Sequence, residues 1–328
     1  MATTRLSDII IPSVFTGYIV ANSMEKTALI QSGVMVANQV IGAQLTAGAE
    51  MFTVPMWRDL GNDEADVVND DPDDQSEPNN IGTQKQVVRK SFLHQSWSAM
   101  NLASELAGSD ALARIQDRTT AYWDRQLQRR LIASLNGVLA DNIANDGGDM
   151  VFDISDETGD AAKFNPSAVI DAAGTLGDSM DLVRGIAMHS DLYRQALKAD
   201  LIEFVAPSVG SLRMPTYRGL AVFIDDSMPL VGGVYTSALF GAGAVGYGVT
   251  APSKAAGTEI ENKPSAGNGG GQEILHSRVN LAVHPAGFTW KETTVASESP
   301  TIAELGLAVN WDRVLERKAI PLAFLRTK

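Results

Sequence analysis

Between Met51 and Phe92 two strand-like runs stand on either side of a stretch that cannot bury itself, and few folds can accommodate that arrangement. The run Met51-Phe52-Thr53-Val54-Pro55-Met56-Trp57 leads into Asp63, Glu64, Asp66, Asp70, Asp71, Asp73, Asp74 and Glu77, interrupted by Pro72 and Pro78. Gln84-Lys85-Gln86-Val87-Val88-Arg89-Lys90-Ser91-Phe92 then resumes the strand pattern. The flanks can pair with each other. The carboxylates and prolines between them gain too little from burial to offset the entropy of being ordered. An extended hairpin whose acidic tip projects from the body is therefore expected.

A long helix follows. Ser109 and Asp110 are start signals, and Leu112, Ile115, Thr119, Trp123, Leu127, Leu131 and Leu135 recur at steps of three or four. Asp117, Arg118, Asp124, Arg125, Gln128, Arg129 and Arg130 fill much of the remaining surface, which predicts an amphipathic rod with a solvent- or partner-facing back. Continued to Ala140, with Asn136-Gly137 as a weak point, it would be roughly 45 Å long. Gly147-Gly148 ends it, and Asn165-Pro166 supplies a cap and a first-turn proline for a second helix. A short strand at Gly185 to Met188 leads through His189-Ser190-Asp191 into a third helix. Strands are expected at Gly219 to Ile224, Tyr235 to Phe240 and Leu275 to Val283, and Lys254 to Gln272 reads as a surface loop. The fold class is α+β, without the strand-helix rhythm of a doubly wound sheet. Residues 1 to 50 read as an extended arm and a weakly helical patch. The apolar Ile9-Ile10-Ile11 could dock on another subunit or tuck into its own chain.

Composition narrows the function classes. A chain of 328 residues can build two lobes or one intertwined two-domain unit. The absence of Cys removes disulfides, thiolate metal sites and cysteine nucleophiles. No apolar run of about 18 residues occurs, and the first residues lack the pattern of a secretory signal, so use in a cytoplasm and no membrane contact are expected. A net charge of -13 opposes close contact with phosphates but suits a container wall around a polyanion. Gly241-Ala242-Gly243-Ala244-Val245-Gly246 has dinucleotide-loop spacing, yet Tyr247 to Pro252 is not helix-forming, so a tight turn between strands is expected. The acidic tip lacks the glycine and terminal glutamate of a calcium loop. His94, His189, His276 and His284 are too scattered for a metal motif, and no G-x-S-x-G elbow is present. Asp225-Asp226 reads as a polar strand end rather than a carboxylate pair. No catalytic residue, metal or cofactor is expected. Trp57, Trp97, Trp123, Trp290 and Trp311 read as core and interface anchors.

The opening Leu6-Ser7-Asp8-Ile9-Ile10-Ile11-Pro12-Ser13-Val14-Phe15, with Met24 to Gly33 after it, resembles the start of one subgroup of major capsid proteins of tailed bacteriophages. Ala303-Glu304-Leu305 before Asn310-Trp311-Asp312-Arg313-Val314, and the final strand from Lys318 to Leu325, resemble the end. The order of features is similar over nearly the whole chain. The resemblance implies a Hong Kong 97-like capsid fold. Residues 1–50 would be an N-terminal arm, and 51–96 an extended β-hairpin loop lying across a neighbouring subunit. Residues 97–185 would form a peripheral domain with the spine helix, 186–283 an axial domain near capsomer centres, and 284–328 a return to the peripheral domain.

It further implies self-assembly into hexamers and pentamers of an icosahedral head that encloses double-stranded DNA. The shell would be built in the host bacterial cytoplasm with portal, scaffolding and decoration proteins, without sequence-specific DNA binding. Two departures stand out. Many relatives carry a charged scaffolding segment before the arm, whereas arm-like sequence here follows Met1 directly, so scaffolding is expected to be a separate protein or the chain a processed or scaffold-free form. The founding member joins subunits by a Lys to Asn isopeptide bond; Lys85 and Lys90 lie in the loop, but the Asn and its assisting carboxylate find no match. On this reading Asp70, Asp71, Asp73 and Asp74 of one subunit would meet Arg118, Arg125, Arg129 and Arg130 of the next. The alternatives are a nanocompartment shell, another phage structural protein, or a soluble nucleotide- or metal-dependent enzyme.

Overall fold

The computed structural model describes residues 28–31, 34–58, 78–205, 214–217 and 219–328, with Leu60, Glu64, Ala65, Val67, Val68, Asp70, Asp71, Asp73 and Gln75 of the hairpin tip. The apolar terminus around Ile9-Ile10-Ile11 lies outside the described residues. In chain order come α1 (Ala28–Gln31), β1 (Met35–Ala37), α2 (Gln39–Thr46), β2 (Met51–Trp57), β3 (Thr83–Arg89) and β4 (Ser91–Met100). Next are α3 (Asn101–Ala107), α4 (Ala111–Asn145), β5 (Val151–Asp153), α5 (Pro166–Gly174), β6 (Val183–Met188) and α6 (Ser190–Lys198). A strand-rich stretch follows: β7 (Glu203–Val205), β8 (Met214–Tyr217), β9 (Leu220–Ile224), β10 (Leu230–Val231), β11 (Val234–Gly241) and β12 (Val245–Thr250). The chain ends with β13 (Thr258–Lys263), β14 (Gln272–Pro285), β15 (Phe288–Trp290), α7 (Ile302–Leu305), β16 (Trp311–Arg313) and β17 (Leu322–Thr327).

Two large sheets organise the described residues. One has the order β5-β17-β11-β6-β9-β8-β7, with β10 on β11; the other runs β1-β12-β14-β13, with β4 also on β14. Alternation along β6 explains the first sheet's two cores. Ile186 and Met188 pack with Val169 and Ala172 of α5 and with Leu192 and Ala196 of α6. Ala187 faces the other cluster, with Leu131 and Val138 of α4. Both sheets interleave distant segments, so the expected domain boundaries cut across them. β12, β13 and β14 join β4 rather than β6, and the C-terminal β17 lies between β5 and β11. The segment from Lys254 to Gln272, expected to be a loop, contains β13, which is paired to β14 from Thr258↔Ser277 to Lys263↔Gln272.

The start of α4 forms as its capping residue dictates. Asp110 Oδ1 accepts hydrogen bonds from the Leu112 and Ala113 backbone amides at 2.9 and 3.1 Å, a cap worth about 1 kcal/mol. The helix runs for 35 residues, about 52 Å, and Gly147 and Gly148 end it with φ of 70° and 73°. Asn165 caps α5 as its sequence predicts, accepting from the Ala168 amide at 2.9 Å. Amphipathicity holds only for the first half of α4. From Leu131 to Leu135 every residue is buried, because here the rod passes between β14 on one side and α7 and β16 on the other. Asn136-Gly137 is not a weak point. Leu305 and Trp311 press against the helix at Gly137, where a Cβ would have no room. No helix among the described residues is long and apolar enough to cross a membrane.

Candidate assembly surface

The hairpin pairs in one register from Met51↔Arg89 to Trp57↔Thr83, and its root is anchored. Val88 is buried with Ile41, Leu45 and Ala282, and the Val87 amide donates to Thr289 Oγ1 at 2.9 Å. Arg89 donates to the carbonyls of Glu50 at 3.1 Å and Glu298 at 2.9 Å. It also pairs with Glu292 at 3.0 Å and Glu50 at 3.4 Å. Lys90 is fully buried; its Nζ donates to the Ala47 and Gly48 carbonyls at 2.8 and 3.4 Å, and desolvation lowers its pKa. Hydrogen bonds to charged groups contribute about 1.5 to 3 kcal/mol each, so these two cations tie the arm to the body on both sides. Lys90 is thus a structural residue and not an exposed loop lysine.

Beneath the root, the buried ring of His284 has Nε2 3.2 Å from Gln86 Oε1. Burial pushes its pKa down to about 4, against roughly 6.5 in an unfolded chain. The folded protein therefore binds this proton less readily than the unfolded chain does. Stability is complete above about pH 6.5 and falls as pH drops toward 4, by about 3 kcal/mol from this residue. Urea midpoints of isolated subunits should decline over that window, and His284→Gln should remove about that much of the decline; an unchanged slope in the variant would assign the acid sensitivity elsewhere.

At the far end the arm offers two chemistries. Asp70, Asp71 and Asp73 are exposed, with Asp71 Oδ1 accepting from the Asp73 amide at 3.0 Å; Asp74 lies outside the described residues. Among the carboxylates stand Trp57 at 70% exposure, Leu60, Val67, Ile81 and, at 94%, Val68. An exposed tryptophan amid small apolar side chains on a projecting arm matches the anchors that dominate protein interfaces. Trp57 is among the tryptophans expected as anchors, whereas reading this stretch by charge alone passes over Leu60, Val67, Val68 and Ile81, although Val67-Val68 in a polar setting is a visible signal.

The expected basic partner is only partly displayed. Arg118 and Arg129 are exposed on α4, and Arg125 is half-buried. Arg130 is corrected: it is 5% exposed, its Nη1 donating to Ser91 Oγ at 3.1 Å and to the Pro300 carbonyl at 2.9 Å. The reason is helical phase. Arg130 follows Leu127 by three residues and precedes Ser134 by four, and both are buried where α4 enters the core. Desolvation lowers its pKa to about 10, so it remains charged at neutral pH.

The rival chemistries have little to build on. Gly241 to Gly246 makes a tight turn from β11 into β12, so no helix N-terminus follows it. Asp225 is buried; it accepts from Gln128 Nε2 and from the Ser227 amide at 2.8 Å, a link between a strand end and α4. Among the described residues no group of three His, Asp or Glu is placed to hold a metal ion.

Comparison with known proteins bears on the whole chain. Residues 116–320 match the family described as Gp13-like, major capsid protein 13-like. The major capsid protein of Bacillus phage SPP1 is 36% identical over 327 residues, covering 98% of this chain and 97% of that protein. The cyanophage Pam1 capsid superposes with a TM-score of 0.60 at 10% identity, over 96% of each chain. The head of Helicobacter pylori bacteriophage KHP40 gives 0.54 at 12% identity, over 99% and 97%. The holo-SrpI encapsulin complex of Synechococcus elongatus gives 0.53 at 10% identity, over 99% and 95%; at such identities the likeness is one of fold.

Proposed function

The chain belongs to the Gp13-like major capsid protein family, and from that premise we propose how its hairpin and spine helix join copies of it into a shell. It is a structural protein of a tailed-phage virion and not an enzyme, its fold is the Hong Kong 97-like capsid fold, and it acts by associating with itself. In the proposed arrangement the sheet built around β11 and β17 lies toward capsomer centres, and the sheet on α4 lies at the periphery. Hexamers and pentamers close by repeated head-to-tail contacts. The shell, assembled in the host cytoplasm, encloses DNA without reading its sequence, and portal, scaffolding and decoration proteins complete the head.

One observation carries the contact: an arm anchored by buried Arg89 and Lys90 holds apolar and acidic side chains in water. Its tip rests on the exposed first half of a neighbour's α4, where Arg118, Arg125 and Arg129 supply opposite charge and fix register. Reversing Arg125→Glu and Arg129→Glu should lower shell yield about tenfold, equivalent to about 1.4 kcal/mol per contact, while the purified subunits remain folded. Lysine at Asp70, Asp71 and Asp73 should restore part of the yield. If shells form normally with both arginines reversed, the tip binds elsewhere.

A further inference from the structure

Where the hairpin root meets α4, three buried N–H donors have no acceptor among the described residues: Arg89 Nε, Arg130 Nε and Trp290 Nε1. The residues that carry them, each at most 5% exposed, line one small space together with Ser91, His284 and apolar wall residues such as Leu281. Orphan buried donors are rare in folded proteins, and each costs about 1 to 3 kcal/mol if nothing accepts from it. Three around one space mark a missing acceptor.

Charge points the same way. Arg89 is already compensated by Glu292 and Glu50. Arg130, among the described residues, meets a hydroxyl and a carbonyl but no carboxylate, and a buried guanidinium without a counter-charge is strongly unfavourable. We infer that this space holds one small monovalent inorganic anion of the halide class, bound by Arg130 and Trp290 and shared with Arg89 at the hairpin root.

Water fits less well. It would accept two of the three donors and would then have to share Ser91 Oγ, which already accepts from Arg130, to place its own hydrogens on a wall that is otherwise largely apolar. A halide accepts from every side and donates nothing. The space has room for about one water-sized particle, which excludes sulfate and phosphate and makes a halide, slightly wider than water, a tight fit. Glu292 Oε2, also without a partner, belongs to a carboxylate already held by Arg89 through Oε1, so the uncompensated charge resides on Arg130. The bound ion bridges β3 and α4, and with it the arm and the spine.

The test uses purified, unassembled subunits at neutral pH and fixed ionic strength, with potassium gluconate exchanged for potassium chloride. Saturating a site at tenfold over its dissociation constant should raise the melting temperature by about 2 °C, and Arg130→Met should abolish the rise. Crystals of the wild-type chain grown in bromide should show an anomalous peak between Arg130 and Trp290, a readout that does not depend on the variant folding. Equal melting in the two salts, an equal rise in the Arg130→Met chain, or ordered water without an anomalous peak would each overturn the assignment.

Discussion

Gly137→Ala is expected to destabilise the folded subunit sharply, although alanine is the better helix former. A Cβ at this position would lie 2.2 Å from the Leu305 carbonyl oxygen and 2.4 and 2.6 Å from Nε1 and Cδ1 of Trp311. None of these atoms can give way cheaply. The Leu305 carbonyl accepts the Trp311 Nε1–H at 2.8 Å. Trp311 is 2% exposed and packs edge-on against Trp290 with centroids 5.0 Å apart. The short α7 that carries Leu305 is fixed by a Thr301–Glu304 capping box. The propensity gain of about 1 kcal/mol is outweighed by expelling an indole from the core or moving a helix, at about 3 to 5 kcal/mol. Net destabilisation of about 3 kcal/mol is a large share of a typical 5 to 15 kcal/mol. Urea denaturation of the soluble fraction measures it; a variant that unfolds at the wild-type midpoint would mean that the seam between α4 and β16 can open.

The same glycine shows where sequence reading ran out. Asp110 and Asn165 could be read as caps because the amides they satisfy lie within three residues. The hairpin could be read because its flanks alternate and its middle cannot be buried. Asn136-Gly137 looked like a weak point because the groups that require a glycine there, Leu305 and Trp311, lie about 170 residues further on. Arg130 was assigned to the exposed back of α4 for a similar reason: the stripe from Leu112 to Leu135 marks one buried face, and only tertiary packing buries the opposite face from Leu131 to Leu135. β13 escaped notice because Thr258-Glu259-Ile260-Glu261-Asn262 is exposed throughout and is held by its ladder to β14, not by burial. The insertion of β17 between β5 and β11 has no local signature, so boundaries drawn from feature order could not anticipate it.

Replacing residues 59–81 with Asn-Gly is expected to leave the subunit folded and abolish shells. The graft is geometrically mild. The ladder runs to Trp57↔Thr83, the Arg58 amide still donates to the Gly82 carbonyl at 2.9 Å, and Asn-Gly closes such a pair as a type I′ turn. The described residues within the excised segment are exposed, so none of them gives up a core contact, and the melting temperature should stay within about 2 °C. Assembly should respond differently. The deletion removes the apolar Leu60, Val67, Val68 and Ile81 and the carboxylates from Asp59 to Glu77, whereas Arg89 and Lys90 still anchor what remains. Each lost contact of about 1.4 kcal/mol is tenfold in association, and a closed shell compounds that loss over every subunit, so negative-stain microscopy should find rings or monomers in place of particles. Retaining Trp57 while losing the tip separates the two chemistries of the arm: if Trp57 alone suffices, particles persist at reduced yield, and if normal shells form in full yield, the projecting tip has no part in joining subunits.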